Sequence, residues 1–116
     1  MDDDEGMREN LSELFTSLGY DVRTAGNTAD ALARIRASDF DLVLTDYKMP
    51  GPTGAELIES ARAIRPGLRA VLMTALGDTF TEVESVRRGA SGFITKPFEA
   101  DHVAELIRRV LSPRER

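Results

Sequence analysis

Two apolar rhythms alternate along this chain. Leu11, Leu14, Phe15 and Leu18 recur at helical spacing over 7–18, and Gly19 stops that run. "YDVRTA" then alternates in the manner of a short strand. Beyond Gly26-Asn27-Thr28, "ADALARIRA" reads as a helix burying Ala31, Leu32 and Ile35. "FDLVLTD" is a nearly continuous apolar run ending in an acid, the pattern of a parallel strand covered on both faces. A loop rich in proline and glycine, "YKMPGPTG", leads to a helix carrying Leu57, Ile58, Ala61 and Ile64, which Pro66-Gly67 ends.

Strands and helices go on alternating, with no internal repeat. "RAVLMTA" is a buried strand, and Thr79 with Glu82 forms a capping box that opens a helix with Val83 and Val86. "SGFITKP" is a strand halted by Pro97, and Val103, Leu106, Ile107, Val110 and Leu111 mark the last helix. Strands alternating with helices through short connections predict an open parallel α/β sheet with helices on both faces. The chain is expected to form one domain over 1–116, with 113–116 beginning a tail or linker.

Composition narrows the chemistry. With no cysteine, disulfides, thiolate metal sites and cysteine nucleophiles are excluded, and one histidine, His102, excludes multi-histidine metal sites. No apolar run reaches transmembrane length and no leader is evident, so a cytoplasmic protein is expected. The net charge is −5, but Asp2, Asp3, Asp4 and Glu5 supply four of those charges and leave the rest of the chain at −1. That balance gives no support for binding nucleic acid. His102 and the arginines Arg87, Arg88, Arg108 and Arg109 read first as solvated helix positions.

Ligands of doubly wound sheets gather outside the carboxyl ends of the strands. Reading those ends gives Asp46, Thr74 and Lys96, joined by Asp2 and Asp3 if the opening acids follow a strand of their own. Carboxylates clustered without histidine or cysteine favour a hard cation, Mg²⁺ beside phosphate. A metal, an ammonium and a hydroxyl would neutralise a phosphoryl group in flight, and a carboxylate aimed at it can form an aspartyl phosphate. Taken singly, Asp46 could be a turn residue, Thr74 a strand residue, Lys96 a loop lysine and Phe93 a core aromatic. Their order along one sheet edge favours the chemical reading.

At these residues the chain resembles the receiver domains of bacterial two-component response regulators. The resemblance is carried by "DDDEGMR", "LVLTDYKMPGPTG", "VLMTA" and "GFITKPF", in that order, and it spans Met1 to about Leu111. "MTALGD" and "RRGASGFITKPF" lean toward receivers of enhancer-binding transcription activators. The resemblance implies a flavodoxin-like sheet of order 2-1-3-4-5. It further implies that Asp46 accepts a phosphoryl group from a sensor histidine kinase, and that Mg²⁺ is held by Asp2, Asp3, Asp46 and the Lys48 carbonyl. Lys96 would pair with the phosphoryl group, the Lys96–Pro97 peptide would be cis, and Thr74 with Phe93 would form the switch. The output would be read on the face of the fourth helix, last strand and last helix, by an effector domain or partner, without direct nucleic-acid binding and away from any membrane. Such a domain catalyses its own phosphorylation and is not a free-standing enzyme. The alternative function is a phosphorylation-independent interaction module. A flavodoxin-type mononucleotide binder lacks its phosphate loop here.

One departure from the family bears on the opening acids. Family members carry a hydrophobic strand before the acid pair, in the middle of the sheet, and only Met1 stands there in this sequence. Losing about five buried apolar residues at roughly 1.5–3 kcal/mol each is on the order of 10 kcal/mol, comparable to the stability of a small domain. Three resolutions stay open: the natural chain carries the strand ahead of Met1, another segment (for instance from a second copy, as a strand-exchanged homodimer) fills the gap, or Asp2 and Asp3 fray. The first is the expected one for the natural protein, with damaged metal binding in this chain unless the gap is filled.

Overall fold

The computed structural model describes residues 1–2, 4–48, 51–75 and 89–111. In chain order the elements are α1 (Glu5–Ser17), α2 (Thr28–Ala37), β1 (Leu42–Asp46), α3 (Gly54–Ile64), β2 (Arg69–Ala75), β3 (Gly92–Lys96) and α4 (Ala100–Leu111). The helix expected from Thr79 and Glu82, the tail at 113–116, and Asp3, Arg87 and Arg88 lie outside the described residues.

Local chemistry sets the helix starts. Asp4 caps α1 by accepting from the Met7 N–H, and Asn27 caps α2 by accepting from Asp30. Thr53 and Glu56 form a reciprocal capping box at the start of α3. Gly19 adopts a positive φ of 96° just past α1, a backbone conformation open to glycine without penalty.

The described strands form a parallel sheet of order β1-β2-β3. Leu42 pairs with Arg69 and Asp46 with Met73; Val71 pairs with Gly92 and Ala75 with Lys96. The middle strand, β2, is closed off on both faces, with Ala70, Val71, Leu72 and Met73 fully buried. On one face Val71 packs with Phe15 of α1 and with Val103 and Ile107 of α4. On the other, Ala70 and Leu72 pack with Ile58 of α3, and Ile35 of α2 meets Ala61 and Leu68. This is the doubly wound α/β arrangement read from the sequence. No helix among the described residues is long and apolar enough to cross a membrane.

The expected strand at 20–25 is not one. Its alternation is real, since Val22 turns toward the α1/α4 core and Ala25 toward α2, but the segment joins no ladder among the described residues. A strand is defined by a partner, and among the described residues the sheet position between this segment and β1 is filled at one end, by Met1 and Asp2. There Met1 N donates to Leu44 O at 2.7 Å, Asp46 N donates to Met1 O at 3.0 Å, and Asp2 N donates to Ala25 O at 3.3 Å. The first two bonds are the pair that makes a parallel bridge.

Candidate functional site

Three backbone segments end at the same edge of the sheet and bring Asp2, Asp46 and Lys96 together. Lys96, the last residue of β3, places its Nζ 3.3 Å from Asp46 Oδ2 and 3.5 Å from Asp2 Oδ2. Asp2 is 1% exposed and Asp46 9%, so the ammonium bridges two carboxylates that water barely reaches. In such surroundings a charge must be paired, which is what the lysine accomplishes. The Lys96–Pro97 peptide is cis.

Asp2 is not frayed. Besides its bond to Ala25, its Oδ1 accepts from the Asp4 N–H at 2.9 Å, and its carbonyl accepts from the Arg8 guanidinium at 2.9 Å. Burial of the preceding amino group has its own signature. Desolvation lowers the Met1 ammonium from 8.0 to about 6, against the opposing pull of the Asp2 and Asp46 carboxylates.

Asp46 is fixed from below. Tyr47 N donates to Met73 O and Gly54 N donates to Tyr47 O, each at 2.7 Å, which folds the start of α3 back against the end of β1. A Cβ on Gly54 would lie 2.1 Å from the Asp46 carbonyl oxygen and 2.9 Å from Leu72 Cδ1. This residue was not singled out from the sequence. The available signal was a glycine in the first turn of a helix, directly after its cap, where helix propensity disfavours it.

Thr74 lies in β2 next to its end, 2% exposed, opposite Thr95 of β3. Phe93 is half-buried and packs against the Ile58, Ala70 and Leu72 cluster. Lys48 is exposed. Asp3 lies outside the described residues, and among the described residues no three acidic, histidine or cysteine side chains converge. His102, Arg108 and Arg109 are exposed on α4, as expected.

The family model for the response regulator receiver domain matches residues 1–108. The chain belongs to this family. Receiver domains serve two-component response regulators, and phosphoryl transfer to an aspartate is general among them. The DNA-binding transcriptional regulator NtrC of Azospirillum brasilense is 34% identical over 111 residues, covering 96% of this chain and 23% of that protein. Sporulation initiation phosphotransferase F of Bacillus subtilis is also 34% identical over 111 residues, covering 96% of this chain and 90% of that protein. The chain thus spans about a quarter of the NtrC-type regulators it matches and nearly all of the sporulation protein. Among solved structures, a CheY-like receiver domain protein from Methanospirillum hungatei superposes with a TM-score of 0.89 at 32% identity, over 95% of this chain and 88% of that one. The receiver domain of NtrX from Brucella abortus does so with a TM-score of 0.89 at 32% identity, over 95% of this chain and 93% of that one.

Proposed function

We propose that this receiver domain accepts a phosphoryl group on Asp46 from a phosphohistidine of a sensor kinase. A carboxylate oxygen of Asp46 forms the new bond to phosphorus as the P–N bond to the imidazole breaks, and a proton from water restores the neutral ring. The observation that carries this reading is the Lys96 ammonium, set 3.3 Å from the Asp46 carboxylate at the edge of the sheet. Its charge stabilises the equatorial oxygens of the transferring group, and Thr74, one residue before the end of the adjacent strand, is the hydroxyl assigned to the same group.

The donor set suits Mg²⁺. Asp2 and Asp46 are two hard carboxylates held at one point, and Mg²⁺ is commonly bound by one or two carboxylates with several waters. Asp2, Asp46, Asp3 and the Lys48 carbonyl are the residues assigned to hold it. When bound, the ion neutralises charge on the phosphoryl oxygens.

Phosphorylation would then be read as a population shift in Thr74 and Phe93, carried to the surface of β3 and α4. NtrC-type relatives about four times as long suggest an effector domain as the reader, with transcription as its output. Peptide mapping after treatment with acetyl phosphate and Mg²⁺ tests the assignment. An acyl phosphate on the peptide containing Asp46 is expected, and a label elsewhere would overturn it.

A further inference from the structure

Arg8, the basic residue that closes "DDDEGMR", reaches back to Asp2. The Asp2 carbonyl accepts from Arg8 Nη1 at 2.9 Å, its Oδ1 accepts from the Asp4 N–H at 2.9 Å, and its N–H donates to Ala25 O at 3.3 Å. None of these bonds uses Met1. Asp4 caps α1, and the Arg8 N–H donates to the Asp4 carbonyl at 3.0 Å, so the two residues belong to one helical turn. That turn holds Asp2 by its carbonyl and its carboxylate, while Ala25 holds its N–H. Only χ1 and χ2 separate the Asp2 carboxylate from this clamped backbone.

Arg8 has a seat as well as a partner. A Cβ at position 26 would stand 2.7 Å from Arg8 Nη1 and 3.3 Å from its Cζ, so the guanidinium lies directly against the Gly26 backbone. Gly26 is not at a positive φ, so space rather than backbone conformation calls for glycine here. A side chain at 26 would displace the guanidinium from the Asp2 carbonyl.

We propose that Arg8, seated on Gly26, is the positioning residue that aims the Asp2 carboxylate at Mg²⁺, an inference that rests on Asp2 being a ligand of that ion. Mg²⁺ demands near-ideal octahedral geometry, so a carboxylate that drifts by about half an ångström is a poorer ligand. Groups that orient metal ligands govern affinity by about 10–100-fold. The sign of the effect separates positioning from charge. As a cation near the site Arg8 repels Mg²⁺, and neutralising it would by charge alone tighten binding. As the clamp on Asp2, its loss weakens binding.

The experiment titrates the 116-residue chain with Mg²⁺ while NMR follows the Asp46 and Lys96 amides. The wild type is compared with Arg8→Met, Gly26→Ala, the double variant and Asp2→Asn. Arg8→Met keeps an apolar stem and removes the donor, and a roughly tenfold rise in Kd is expected. Gly26→Ala leaves Arg8 in the chain but takes its seat. The displaced atoms end a flexible side chain, so the fold need not move, and most of the same loss is expected. In the double variant the losses should not add, since both act through one bond. Should Arg8→Met fail to fold, Gly26→Ala decides. Unchanged or tighter binding in Arg8→Met, unchanged binding in Gly26→Ala, or additive losses would overturn the proposal, and a weakened Asp2→Asn would then leave the ligand assignment standing. An Asp2→Asn that binds as tightly as the wild type would overturn both.

Discussion

Gly54 lies directly against Asp46: a Cβ at position 54 would stand 2.1 Å from the Asp46 carbonyl oxygen, far inside van der Waals contact. The backbone that carries the proposed phosphoacceptor is therefore seated on the first turn of α3. Gly54→Ala would have to push α3 away from β1 or rotate the Asp46 peptide. An overpacking penalty of about 1–3 kcal/mol is expected in urea unfolding. A fall in phosphoryl acceptance should persist at temperatures where the variant is fully folded.

The same helix start predicts a milder counterpart. Thr53 accepts from the Glu56 N–H at 3.2 Å while the Glu56 carboxylate accepts from the Thr53 N–H at 2.7 Å. Thr53→Ala removes half of that reciprocal pair and should cost about 1 kcal/mol. With no atom added near Asp46, phosphoryl acceptance by the folded protein should stay near wild type. Unfolding and phosphorylation measured on both variants would separate helix capping from the seating of Asp46.

Lys96 gives the sharpest prediction for the chemistry. Lys96→Met keeps most of the side chain's bulk and removes the ammonium between Asp46 and Asp2. Loss of one preorganised charge of this kind should slow phosphorylation of Asp46 by about a hundredfold. Single-turnover rates with acetyl phosphate would check this. A rate equal to wild type would remove Lys96 from the reaction.

Much of this site was legible because strand ends announce themselves. Asp46, Thr74 and Lys96 each close an apolar run, and parallel strands bring such ends to one edge. "YDVRTA" misled for a physical reason: alternation reports which face a side chain takes, but a ladder needs a neighbouring backbone, and among the described residues Met1 and Asp2 alone reach the adjoining position. Fraying of Asp2 was one of the outcomes weighed from the sequence. Three backbone bonds by Met1 and Asp2 hold it instead, and no hydrophobic pattern would have revealed them. Gly54 escaped because a close approach between distant backbones leaves only a misplaced glycine as its trace.

The buried amino group makes stability depend on pH in a defined direction. Desolvation lowers the Met1 ammonium from 8.0 to about 6 on folding. Between those values the unfolded chain binds more protons than the folded chain, so stability is fully present above pH 8 and is lost as pH falls toward 6. Metal-free urea titrations should show a gain of about 2–3 kcal/mol across that window. A chain acetylated at the Met1 nitrogen has no such proton to release and should show no gain from this group.

The most direct test is the intact mass of the protein after incubation with acetyl phosphate, with and without Mg²⁺, for the wild type and for Asp46→Asn. The account predicts a gain of one phosphoryl group that requires Mg²⁺ and is absent from the variant. No gain in the wild type, or a gain that survives in Asp46→Asn, would contradict it.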